Sequence, residues 1–159
     1  MISALITGGL GFIGSHIARK LLKDNVVDKV VLLDSFGGYV NPLRPEFFDY
    51  RKLRLKDLED KTIIERGHTR SPHLIHKLLL KYQPEYIFHL AAIPLASLQN
   101  ITTSEAIEGN VLSTSSFLES INDLKKTNGY CPKRFLYTSS SMIYGDFIYN
   151  PAEEKHPTS

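Results

Sequence analysis

Residues 2–14, ISALITGGLGFIG, run an apolar strand straight into glycines at positions 8, 9, 11 and 14. Ile2, Ala4, Leu5 and Ile6 form an apolar run rather than an alternating one, the pattern of a parallel strand buried on both faces. Gly8 and Gly9 permit a tight turn that a Cβ would hinder. The spacing Gly9-x-Gly11-x-x-Gly14 assigns one glycine to the turn, one to close approach of backbone to a pyrophosphate, and one to helix–strand packing. A helix starting near Phe12 then aims its first N–H groups at the anion.

Such a glycine pattern gains weight from its flanks: a strand before it, a helix after it, and an acid about 20 residues on. All three are present. The segment GFIGSHIARKLLKD carries Ile13, Ile17, Leu21 and Leu22 at helical spacing, and the following apolar run KVVLLD ends in Asp34. A carboxylate at that strand tip can accept both hydroxyls of an adenosine ribose and repels a 2′-phosphate.

The 159 residues suffice for one domain with a core, and 42% hydrophobic with 23% charged residues is ordinary for a globular chain. A net charge of +2 selects no partner class. The densest basic cluster, Arg51, Lys52, Arg54 and Lys56, alternates with Asp49, Asp57 and Glu59, which reads as a solvated helix face rather than a nucleic-acid patch. Cys131 stands alone, so no internal disulfide forms, consistent with a reducing compartment. Apolar runs fall short of the ~18 residues of a membrane span, and the N-terminus lacks a basic leader region. A cytoplasmic protein without membrane or nucleic-acid partners is expected.

Strands are predicted near 2–7, 29–34, 62–66, 86–91 and 134–140, and helices near 12–24, 46–58, 72–82 and 103–126. This alternation implies an α/β fold, a doubly wound parallel sheet with right-handed crossovers. Ser71-Pro72 caps the third helix and Asn128-Gly129 ends the fourth, with Pro132 following. Residues 35–45 read as a loop, and 145–159, with two prolines, as a tail without an element of its own. The expected strand order is 3-2-1-4-5. Its switch point lies between strands 1 and 4, where ligands bind outside the strands' carboxyl ends. The glycine turn, Asp34 and the serines Ser139, Ser140 and Ser141 all fall at such ends.

With these residues placed, the chain resembles the NAD-dependent epimerase/dehydratase family, the extended short-chain dehydrogenases that act on sugar nucleotides. Four stretches carry the resemblance: TGGLGFIGSH at 7–16, Asp34-Ser35, Phe88-His89-Leu90-Ala91-Ala92, and Thr138-Ser139-Ser140-Ser141-Met142-Ile143-Tyr144-Gly145. The resemblance implies a Rossmann-like NAD-binding domain over 1–145 and a tail, 146–159, leading toward a catalytic Tyr-x-x-x-Lys segment. It implies NAD contacts at Gly8, Gly11, Phe12, Ile13, Gly14, Asp34, Ser35, His68, Thr69, Leu90, Ala91, Ala92 and Ser139, with Ser140 as the catalytic hydroxyl. In the implied mechanism, hydride passes from a sugar carbon to NAD. A lysine-activated tyrosine removes the hydroxyl proton while the serine holds the oxygen.

The chain departs from the family pattern twice. Where the family has Gly-Asp after the third strand, with the acid reaching the adenine, this chain has Gly67-His68. None of its eight tyrosines has a lysine four positions on. It therefore resembles the first part of such an enzyme, stopping before the base, the last strands and the substrate domain. Alone it is expected to be inactive.

Dehydratases of the family place an acid pair directly after the hydroxyl residue, and here those positions are Ser141 and Met142, which cannot act as acids near neutral pH. A UDP-sugar 4-epimerase is therefore expected. The alternatives are a non-catalytic NAD-binding protein and a dehydratase or reductase of the same family. A homodimer is expected, because strand 134–140 would leave an apolar edge open. His73 and His76 sit three apart on a helix with no thiolate nearby, so a metal site with His68 is not expected, and there is no Gly-x-Ser-x-Gly nucleophile elbow. His89 reads as a hydrogen-bonded core histidine. Asn110, a poor helix former in mid-helix, is a candidate functional residue.

Overall fold

A computed structural model describes residues 2–36, 50–93, 101–151 and 153–158. Five strands form one parallel sheet in the order β3-β2-β1-β4-β5, as predicted. They are β1 (Ser3–Thr7), β2 (Lys29–Asp34), β3 (Thr62–Arg66), β4 (Tyr86–His89) and β5 (Arg134–Tyr137). The helices are α1 (Phe12–Lys23), α2 (Tyr50–Leu55), α3 (Pro72–Tyr82), α4 (Thr103–Ala106) and α5 (Ser113–Thr127).

The apolar runs of β1 and β2 are explained by helices on both faces. Ala4, Ile6, Val30 and Leu32 pack with Ala18 and Leu22 of α1 and Leu55 of α2. The alternate residues Leu5, Val31 and Leu33 turn the other way, onto Ile75, Leu78 and Leu79 of α3 and Phe117 and Leu124 of α5. The inner side chains of β1 and β2 thus have helices to bury them on either face, and the carboxyl ends of the strands gather at one rim.

Three element ends differ from the sequence reading by more than one residue, each for a structural reason. The helix predicted over 46–58 is described from Tyr50 and stops at Leu55 (46–49 lie outside the described residues). Asp57 takes the left-handed conformation at φ +66, which ends the helix before the short 3₁₀ turn Glu59–Lys61. β4 ends at His89 rather than 91, because the Leu90 and Ala91 amides donate to the Thr7 hydroxyl oxygen instead of a neighbouring strand. With no partner beyond His89, β5 ends at Tyr137 rather than 140, its last cross-strand bond being Thr138 N–H to the His89 carbonyl. The chain then makes a 3₁₀ turn, Ser141–Tyr144.

The helix predicted over 103–126 is interrupted. Between α4 and α5 lies a π-helical segment, Ile107–Leu112. Thr114 donates its hydroxyl to the Asn110 carbonyl, and Ser115 and Ser116 both donate to the Leu112 carbonyl, so side chains compete with the backbone ladder there. The described part of the tail forms no helix or strand, yet His156 is buried in it against Tyr144, Phe147 and Tyr149.

Candidate functional site

A cleft of about 510 Å³ opens along the rim where the strands end, across the β1–β4 switch point. Its floor is the glycine turn. Gly8 adopts φ +63, open to glycine without strain, and its N–H donates to the Leu33 carbonyl at 2.9 Å. The turn closes with Gly11 N–H on the Gly8 carbonyl at 3.0 Å. Gly14 sits beneath it: a Cβ there would lie 2.5 Å from the Gly8 carbonyl oxygen and 2.8 Å from Gly9 Cα. Its role is close packing of α1 on the turn, as the spacing predicts. α1 begins at Gly11 without a capping side chain, the arrangement that suits an anion at a helix N-terminus.

Asp34 forms one wall. Its Oδ2 accepts the Leu10 N–H and its Oδ1 the Phe36 N–H, both at 3.0 Å. The acid therefore fixes the glycine turn as well as presenting a carboxylate to the cleft. Ser35 lies beside it, and His68 and Thr69, after β3, continue the wall. Arg70 closes this end through an ion pair with Glu108 of the π segment.

The opposite wall is Leu90, Ala91, Ala92 and Ile93. It is tied at two points. The Leu90 and Ala91 amides bond to Thr7 Oγ1, at 3.1 and 2.9 Å. Ile93 is gripped by Asn110, whose Oδ1 accepts the Ile93 N–H at 2.9 Å and whose amide donates back to the Ile93 carbonyl. The π segment supplies that asparagine and brings Gly109 against the Ile93 side chain. His89 is a buried, hydrogen-bonded histidine, and desolvation pulls its pKa down to about 4.

Nine of the residues singled out in the sequence line this cleft: Gly8, Gly11, Asp34, Ser35, His68, Thr69, Leu90, Ala91 and Ala92. Phe12 and Ile13 are exposed on the first turn of α1, where their side chains line a separate shallow surface with His16 and Ile17. What they can offer the cleft is backbone N–H. Ser139 and Ser140 are exposed beyond the end of β5 and are not among the lining residues. The Ser140 hydroxyl oxygen accepts the Met142 N–H at 3.2 Å, capping the 3₁₀ turn. Sequence reasoning missed Thr7 and Arg70. A hydroxyl at the last position of a strand entering a glycine turn was the available signal for Thr7. Among the described residues no three histidine, cysteine or acidic side chains gather as metal ligands, and no helix is long and apolar enough to cross a membrane.

The NAD dependent epimerase/dehydratase family matches this sequence over residues 4–159, nearly its whole length. The chain belongs to that family. It is 29% identical over 155 residues to a putative UDP-glucose 4-epimerase of Methanocaldococcus jannaschii, covering 96% of this chain and 43% of that protein. It is 30% identical over 152 residues to a dTDP-D-glucose 4,6-dehydratase of Dictyostelium discoideum, covering 96% of this chain and 32% of that one. Among solved structures, the dTDP-glucose 4,6-dehydratase DesIV of Streptomyces venezuelae, with NAD and TYD bound, superposes with a TM-score of 0.75 at 26% identity. That alignment spans 99% of this chain and 45% of the enzyme. The chain thus corresponds to less than half the length of these family members, which include both epimerases and dehydratases.

The residues present fit the family's dinucleotide. The turn has no Cβ at Gly8 or Gly11 to block a pyrophosphate, α1 starts uncapped, and a carboxylate stands at the tip of β2 for a ribose diol. The departure is His68, an exposed imidazole lining the cleft where the family resemblance implies an acid.

Proposed function

We propose that this chain binds NAD in the rim cleft and forms the dinucleotide-binding part of a sugar-nucleotide 4-epimerase acting on a UDP-sugar. The observation that carries the reading is the convergence of the glycine turn, the N-terminus of α1 and Asp34 on one cleft. Gly8 and Gly11 let backbone approach the pyrophosphate, the first N–H groups of Phe12 and Ile13 face it, and Gly14 keeps the helix close. Asp34 accepts the ribose hydroxyls, with Ser35, His68 and Thr69 along the adenosine side. Leu90, Ala91 and Ala92 pack the opposite side, and Ser139 flanks the reacting end.

When bound, NAD supplies the acceptor for a hydride from the sugar. Ser140 would hold the sugar hydroxyl, its own hydrogen being free to donate while its oxygen accepts from Met142. Ser141 and Met142 supply no acid, which favours 4-epimerisation over dehydration, since loss of water requires protonating a leaving hydroxyl.

The 159 residues contain no Tyr-x-x-x-Lys, so we propose that they bind NAD without turning over a sugar by themselves. A chain that binds NAD as a non-catalytic partner gives the same result in isolation. Isothermal titration with NAD+ and an epimerisation assay with UDP-glucose test both statements. Saturable binding without turnover is expected; turnover by the isolated chain overturns the second statement. The outer side of β5, with Leu136 and Tyr137 exposed, supports self-association as a homodimer. Sedimentation that stays monomeric at high concentration contradicts it. The lone exposed Cys131 is in keeping with a cytoplasmic setting.

A further inference from the structure

The Thr7 hydroxyl oxygen accepts two amides of the cleft wall, from Leu90 and Ala91. A hydroxyl has two acceptor lone pairs and one hydrogen, so its acceptor capacity is filled. The hydrogen remains for the third neighbour, His89 Nδ1 at 2.9 Å. Nδ1 must then be unprotonated. The ring proton sits on Nε2, facing Ser113 Oγ at 3.3 Å. The proton positions follow from counting donors and acceptors around one oxygen.

We propose that His89 is a positioning residue for the cofactor cleft: its neutral, Nε2-protonated imidazole orients the Thr7 hydroxyl, which in turn holds the 90–92 backbone against the glycine turn. The contact is close, since a Cβ on Gly8 would lie 3.3 Å from Ala91 N. The role in cofactor binding rests on the NAD reading above; the hydrogen-bond arrangement stands on the geometry. Protonation of Nδ1 would leave three N–H donors and the hydroxyl's own hydrogen around an oxygen with two lone pairs, so one wall amide must be released.

The groups around the ring are Thr7 of β1, Ser113 and Phe117 of α5, and Phe135 and Tyr137 of β5. Tyr137 is the one titratable neighbour among them. Burial alone lowers the pKa of His89, to about 4, in keeping with a ring that stays neutral at physiological pH.

Long-range nitrogen–proton NMR of the labelled chain reads the tautomer directly, and hydrogen exchange reads the Leu90 and Ala91 amides. Nε2-protonated, Nδ1-bare imidazole is expected at pH 7. Thr7→Val and His89→Phe are expected to lower protection of both amides and weaken NAD+ binding, each by about tenfold, the loss of one net hydrogen bond. Thr7→Ser and His89→Asn, which restore a hydroxyl and an acceptor, are expected to recover most of both. The Thr7 pair carries the test if phenylalanine at 89 prevents folding. An Nδ1-protonated ring, or amides equally protected in Thr7→Val, overturns the arrangement. Wild-type chain that shows the expected tautomer and amides but no NAD+ binding overturns the cofactor role and the functional reading, leaving the hydrogen-bond arrangement intact.

Discussion

Asp34 accepts the backbone N–H of Leu10 at 3.0 Å through Oδ2, tying the tip of β2 to the glycine turn that follows β1. Its other oxygen holds the Phe36 N–H. The acid proposed to hold the ribose is therefore also a brace for the glycine turn. An asparagine has one acceptor oxygen for these two donors, and its amide nitrogen would face an N–H. Asp34→Asn is expected to cost about 1–2 kcal/mol of stability and to weaken NAD+ binding by about tenfold or more. Urea unfolding and calorimetric titration measure the two effects, and an unchanged midpoint contradicts the bracing role.

Gly14→Ala separates packing from helix propensity. Alanine gains about 1 kcal/mol over glycine within a helix. Here its Cβ would meet backbone atoms at 2.5 and 2.8 Å, which cannot rotate away. The overlap is expected to win, giving a net loss of about 1–2 kcal/mol and displacement of α1 from the turn. Gly11→Ala, with its nearest contact at 3.0 Å, should perturb folding less. Equal stability of Gly14→Ala and wild type in urea would refute the packing role.

Tyr130 provides a control remote from the cleft. Its buried hydroxyl donates to the Pro84 carbonyl at 2.9 Å, and burial pushes the phenol well above its usual pKa. Tyr130→Phe leaves that carbonyl without its donor and is expected to cost about 1–2 kcal/mol. NAD+ affinity should not change, because the ring packs with the α3 and α5 core on the far face of the sheet from α1. A matching loss of affinity in titration would mean that the core and the cleft are coupled.

His89 sets an acid limit on stability. Its folded pKa, about 4, lies below the ordinary value of 6.5, so the unfolded chain binds the extra proton first. Stability is full above pH 6.5, falls as pH drops through the window between 6.5 and about 4, and levels off below it as far as this group is concerned. The loss is on the order of 3 kcal/mol across that window. Denaturant unfolding at a series of pH values should show this slope in wild type and its removal in His89→Asn. Identical slopes in the two proteins contradict the assignment.

The parts of this fold that could be read from sequence are those set by neighbouring residues. The glycine spacing, the apolar runs of β1 and β2 and the Ser71-Pro72 cap specify backbone locally, and Ser71 indeed accepts the Leu74 N–H. The ends of β4 and β5 could not be read this way. They depend on the Thr7 hydroxyl taking the amides of residues more than 80 positions away. The π segment was likewise hidden, since its register follows from the Asn110 grip on Ile93 and from serine and threonine hydroxyls competing for carbonyls. Asn110 announced itself as an unfavourable mid-helix residue, whereas nothing in the sequence pairs Arg70 with Glu108.

The most direct test of the whole account is calorimetric titration of the 159-residue chain with NAD+ and, in parallel, NADP+. One NAD+ per chain is expected to bind saturably, with NADP+ at least about tenfold weaker, because the proposed seat of the ribose at Asp34 sets a carboxylate against a 2′-phosphate. No saturable binding of NAD+ by the folded chain, or a preference for NADP+, would contradict it.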